Sequence, residues 1–65
     1  MRPRVGKKVK VVEKDGSEIF GTIESIWSET TWREAGFRVE LYYKSYTELV
    51  DFKPEHLGKI VFYVE

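Results

Sequence analysis

Cations crowd one end of this chain: Arg2, Arg4, Lys7, Lys8, Lys10 and Lys14 are six of its eleven Lys and Arg, with a single acid, Glu13, among them. Farther on, an indole and a guanidinium stand side by side as Trp32-Arg33, and Tyr42 occupies an alternating, strand-like run. These residue types can hold a nucleic-acid strand. Ammonium and guanidinium groups neutralise phosphates, and exposed rings stack on bases for about 1–3 kcal/mol each. The formal net charge is zero, so bulk attraction cannot be the whole account; the rest of the chain carries ten acids against five bases. The competing structural account of Lys8 and Lys10 is the solvated face of an edge strand, where lysine discourages sheet-to-sheet pairing.

Catalytic constellations do not emerge. His56 is the one histidine and has no second ligand at metal spacing. A general base would need a nucleophile and an oxyanion site beside it, which Glu55 does not supply. Glu34, Glu40, Glu48 and Asp51 could pair as hydrolytic carboxylates, yet a solvated acidic face accounts for them without further assumption. No glycine-rich loop is set to cradle phosphates. The expectation is a protein that is not an enzyme, with no metal and no cofactor.

The elements that would position these groups are strands. Residues 1–65 make a single small domain, and a chain of this size buries only about 60% of the surface its unfolded form exposes. Without cysteine, no disulfide or thiolate zinc site can reinforce so small a core. The run from Lys8 to Glu13 alternates with Val9 and Val11 inward. Lys14-Asp15-Gly16-Ser17 forms a hairpin loop needing positive φ, and a strand opens at Glu18 with Ile19, Gly21 and Ile23 on one face. Gly21 is expected to let the strand bend and another backbone approach, and a bulge near Ser25 to return Ile26 to the core. Ser28 to Gly36 is a polar loop. Phe37, Val39, Leu41 and Tyr43 then face inward, a tight connection at Lys44-Ser45 leads to a strand over Tyr46 to Phe52, and Pro54 starts a 3-10 turn that Gly58 ends. The last strand, Lys59 to Val64, is expected to point Ile60, Phe62 and Val64 inward.

The segment Val9 to Ile26 resembles the first motif of Sm-like RNA-binding proteins: an alternating apolar strand, a turn glycine, a second glycine five residues later and an apolar residue two further on. Here these are Val9, Val11, Gly16, Gly21 and Ile23, in a stretch of a little over a quarter of the chain. The base-binding aspartate and Met-Asn pair of that family have no counterpart; Trp27 and Thr30-Thr31 stand in their place. From Phe37 through DFKPEHLGKIVF the chain looks like SH3-like modules of the KOW and Tudor-like kind, which bind RNA, ribosomes, modified peptides or partner subunits. The implied fold is all-β: a five-stranded, strongly bent antiparallel small barrel, SH3-like or Sm-like, with a one-turn 3-10 helix before the last strand.

The functional expectation is a nucleic-acid binding module, RNA before DNA, in which Arg2, Arg4, Lys7, Lys8 and Lys10 meet phosphate while Trp32, Arg33 and Tyr42 take bases. Phe20, Trp27 and Tyr63 share an outward parity or border it, and are expected to form a partner interface. The alternative is a barrel that binds a protein partner or itself, including as an accessory or inhibitor from a phage or mobile element. Trp32 could instead fold back as a lid over an open barrel end. The N-terminus lacks the apolar core of a secretory leader and the longest apolar run, Ile60 to Val64, is too short to span a membrane, so a soluble, cytoplasmic protein is expected.

Overall fold

The computed structural model describes residues 2–64 and contains five antiparallel strands and one short helix. The strands are β1 (Lys8–Val12), β2 (Glu18–Trp27), β3 (Gly36–Tyr42), β4 (Thr47–Phe52) and β5 (Val61–Tyr63), with a 3-10 helix over Pro54–His56. They form one sheet in the order β4-β3-β2-β1-β5. No ladder joins β4 to β5 among the described residues, so these two strands are the edges. None of the described segments is a helix long and apolar enough to cross a membrane.

Alternation decides which side of the sheet is dry. Val9 and Val11 of β1, Ile23 of β2, Phe37, Val39 and Leu41 of β3 and Val61 of β5 are buried on one face, with Leu57 from the 3-10 segment. Among the described residues no helical layer covers that face. Complete burial of Val9, Ile23, Phe37, Val39 and Val61 therefore requires the sheet to curl over itself. Two devices in β2 permit the curl. Gly21 sits opposite Leu41, and a Cβ there would collide with the Glu40 carbonyl and approach Val39 Cγ1 at 2.9 Å. Between Ile23 and Ser25 the register with β3 shifts by one residue, making Glu24 the bulge.

The hairpin between β1 and β2 closes as its sequence requires. Gly16 adopts a φ of +88°, and Asp15 accepts hydrogen bonds from the Ser17 backbone N–H at 2.9 Å and hydroxyl at 2.6 Å. The 3-10 helix begins at Pro54 as expected, and His56 Nδ1 accepts from the Lys53 N–H at 3.1 Å.

Three expectations are corrected. In β5, Val61 and Tyr63 point inward, because Val11 pairs with Val61 and Val9 with Tyr63, while Phe62 lies outward opposite Lys10. The cause is the turn before it: Lys59 and Ile60 both donate to the His56 carbonyl at 3.0 Å. Ile60 thus packs on the core from the turn and Val61 from the strand, two inward residues in succession that reverse the parity. Ile26 stays 46% exposed, since the bulge returns it to the face of Phe37 only one residue before β2 ends, where it lines a surface cleft. Tyr63, placed outward by alternation, packs against the core instead.

Adding a methyl at Gly21 must displace backbone, whereas Gly16 has empty space around it and pays only for its positive φ. Gly21→Ala is expected to lower stability by about 1–3 kcal/mol, and Gly16→Ala by about 1 kcal/mol. Urea unfolding followed by circular dichroism reads both, and an unchanged midpoint for Gly21→Ala contradicts the close β2–β3 approach.

Candidate nucleic-acid interface

The outer face of the sheet carries alternate residues of β1 to β4. On β1 these are Lys8 and Lys10, on β2 Phe20 and Thr22, on β3 Arg38, Glu40 and Tyr42, and on β4 Thr47, Leu49 and Asp51. Lys10 is directly opposite Phe20, and Thr22 lies between Lys8 and Glu40. Because Gly21 pairs with Leu41, Phe20 and Tyr42 are the next cross-strand neighbours on the outside. Phe20 is 52% exposed and Tyr42 46%. The Tyr42 hydroxyl and Thr22 Oγ1 share a hydrogen bond of 2.7 Å, which holds the phenol along the sheet surface. Lys10 Nζ reaches Glu18 Oε2 at 3.1 Å; Lys8 makes no ion pair among the described residues.

At the opposite end of β3 the polar loop, residues 28–35, is tied down at its base. The Trp27 ring lies flat over Gly36, where a Cβ would come within 2.8 Å of its Cζ2 atom. Its Nε1–H donates to the Glu34 carbonyl at 3.0 Å. The Arg33 guanidinium sits 3.7 Å from the ring centroid, with that of Arg38 at 5.7 Å. Arg38 grips Asp51 through two hydrogen bonds of 2.7 and 3.2 Å, and Lys53 pairs with Glu34 at 3.5 Å. Inside the loop, Thr30 accepts the Trp32 N–H on its hydroxyl at 3.2 Å and donates its own N–H to the Arg33 carbonyl at 2.8 Å. Trp32 is left at the tip, 92% exposed. It is not a lid.

The basic N-terminal arm turns back at Gly6, which has φ of +87°, with Lys7 N–H donating to the Arg4 carbonyl. Tyr63 holds this arm: its hydroxyl donates to the Arg2 carbonyl at 2.6 Å, and the Arg4 guanidinium lies 5.9 Å from its ring. Arg2 and Pro3 then border a cleft shared with Ile26, Trp27 and Pro54. Lys7 continues the ladder, its carbonyl accepting the Ile23 N–H at 3.0 Å.

The expected site residues are thus divided among three places. Lys8, Lys10, Phe20 and Tyr42 come together on the outer sheet face. Trp27, Trp32 and Arg33 belong to the loop, with Trp27 occupied in fastening it. Arg2, Arg4 and Tyr63 form the arm and its anchor. Trp32 and Tyr42 do not converge, since the seven residues of β3 separate the loop from Tyr42 by about 20 Å. Sequence reasoning missed Leu49, which is 52% exposed beside Glu40, and the Arg38–Asp51 clasp. Alternation in β4 would have found the first; the second needed the cross-strand register. Comparisons of the chain with protein-family models, curated proteins and solved structures find no match.

The hydrogen bonds from Arg38 hold the Asp51 carboxyl below its ordinary range, and those from Ser17 do the same for Asp15. A carboxyl lowered in the folded state stabilises above its unfolded value, about 3.9, and loses that contribution as pH falls through the lower folded value. Melting temperature is therefore expected to drop below about pH 4. Asp51→Asn should lower it at neutral pH and flatten the acid decline. A variant with the full wild-type acid slope contradicts the assignment.

Proposed function

We propose that the protein is a non-catalytic module that holds single-stranded nucleic acid, RNA before DNA, across the outer face of β1, β2 and β3. The observation that carries this reading is the pair of half-exposed rings, Phe20 and Tyr42, standing side by side with Lys8 and Lys10 in the adjoining strand. Unpaired strands are held in this way, by rings that take bases and cations that follow the backbone. Strands favour such a platform because alternate side chains project from one face of the sheet at fixed spacing. Trp32, at the far end of the face, offers a further stacking point to a longer strand. Five strands with a 3-10 turn before the last support the SH3-like or Sm-like reading of the fold.

A second reading is a protein partner on the same face. What favours it is the local charge balance: Lys8, Lys10 and Arg38 stand among Glu18, Glu40 and Asp51. With the first reading we propose a cytoplasmic location, where RNA is met.

Labelled single-stranded RNA, single-stranded DNA and duplex, titrated by fluorescence anisotropy at two salt concentrations, test the proposal. Phe20→Ala and Tyr42→Ala should each weaken single-strand binding about 5- to 150-fold, the equivalent of 1–3 kcal/mol per lost stack. Tyr42→Phe keeps the ring and should retain most of the affinity. Lys8→Ser should reduce the slope of log affinity against log salt by about 0.7. Absence of binding at low salt, or ring variants that bind like the wild type, moves the face to a protein partner.

A further inference from the structure

The outer edge of β4 is left unpaired among the described residues. Tyr43 donates its N–H to the Tyr46 carbonyl at 2.9 Å, which marks that facing pair as hydrogen-bonded. Bonded and non-bonded pairs alternate along an antiparallel ladder. Leu41 with Glu48, Val39 with Val50 and Phe37 with Phe52 are therefore the bonded pairs of β3 and β4. Thr47, Leu49 and Asp51 occupy the non-bonded positions, so their N–H and C=O groups point away from β3. Among the described residues no turn or loop hydrogen bond uses them.

Edges of this kind are normally blunted by proline, lysine, a bulge or shortness. β5, the other edge, is three residues long and preceded by Gly58 and Lys59. β4 contains no proline, lysine or bulge and runs six residues, TELVDF, in unbroken register with β3; its charges are the acids Glu48 and Asp51. Among the polar Thr47, Glu48 and Asp51 it also presents apolar side chains to a second strand, with Leu49 exposed outside and Tyr46, Val50 and Phe52 at least partly exposed on the inner side.

We propose that β4 pairs antiparallel with β4 of a second copy about a two-fold axis through Leu49, joining the two sheets into one. In this register Leu49 faces Leu49 of the second copy and Thr47 faces its Asp51. All the outward backbone groups of both strands are then satisfied. On the inner side Tyr46 meets Phe52 and Glu48 meets Val50, so no like charges oppose each other. Sliding the strands by two residues along one direction sets Glu48 against Glu48, and along the other sets Leu49 against Asp51; either shift also strands an outward-facing residue. The pattern is its own complement, which singles out a second copy over an unrelated strand. This interface uses the edge, not the face assigned to nucleic acid, so the two proposals stand or fall separately.

Because the chain has no cysteine, a single introduced thiol reports the register. Directly bonded antiparallel residues have Cα atoms about 5.5 Å apart, inside the span a disulfide bridges. Leu49→Cys, oxidised with glutathione disulfide at micromolar protein, should form a covalent dimer. Thr47→Cys should not, because the two copies of that position lie four residues, about 13 Å, apart along the seam. Sedimentation equilibrium of the unmodified protein should show a concentration-dependent dimer, weakened at least tenfold by Leu49→Lys with the circular dichroism spectrum retained. A protein that sediments as a monomer throughout, or a Thr47→Cys variant that crosslinks as fast as Leu49→Cys, overturns the proposal.

Discussion

A single sheet with no helical layer can dry its apolar face only by curling onto itself, and the close approach of β3 to Gly21 is what lets this one do so. The Glu40 carbonyl occupies the space where any other residue would carry a Cβ. From that contact follow the bend of β2 and the enclosure of Ile23 and Val39, which pair two residues farther along. With so few residues, there is no slack elsewhere in the core to absorb a flatter sheet.

Curvature also sorts the aromatic residues. A core of this size has room for Phe37 and, at its margins, Phe52, Tyr43 and Tyr63. Phe37 and Phe52 stack at 5.7 Å, and Tyr43 stacks on Tyr46 at 4.7 Å. The rest must find other uses. Trp27 covers Gly36 and carries Arg33 on its ring, which turns a polar segment without secondary structure into an ordered platform. Phe20 and Tyr42 remain on the convex surface, where a monomer gains little from large rings, and Trp32 stands almost fully in water. Residues left outside at this cost to solubility are the reason for reading the surface as a binding face.

Charge is arranged locally even though the sum is zero. Acids beyond the N-terminal segment take up cations close by: Asp51 holds Arg38, Glu34 holds Lys53 and Glu18 holds Lys10. These pairs are exposed and individually weak. Their effect is on availability, since they leave Arg2, Arg4, Lys7, Lys8 and Lys14, with Lys44 and Lys59, without an ion partner among the described residues. The basic arm is held by Tyr63, whose hydroxyl bonds the Arg2 backbone and whose ring lies under the Arg4 guanidinium.

Much of the fold was legible in the residues. Alternation at Val9 and Val11 and from Phe37 to Tyr43, the positive-φ glycine after Asp15, the bending glycine at position 21 and the proline-initiated turn each act within a few residues, and local sterics specify them. Parity in the last strand was not legible, because alternation carries across a turn only if the turn's geometry is known. The turn onto the His56 carbonyl made Ile60 and Val61 both face inward, and with them Tyr63. Nor could the chain say which rings share a surface: it offered Trp32 and Tyr42 as one site, and the length of β3 set them apart. By itself the sequence determined the strands, their turns and the apolar face, since those depend on neighbours in the chain. The tertiary structure alone decided which rings meet, which cations are matched by acids and which edge is left open, because register and curvature bring together residues that no local rule relates.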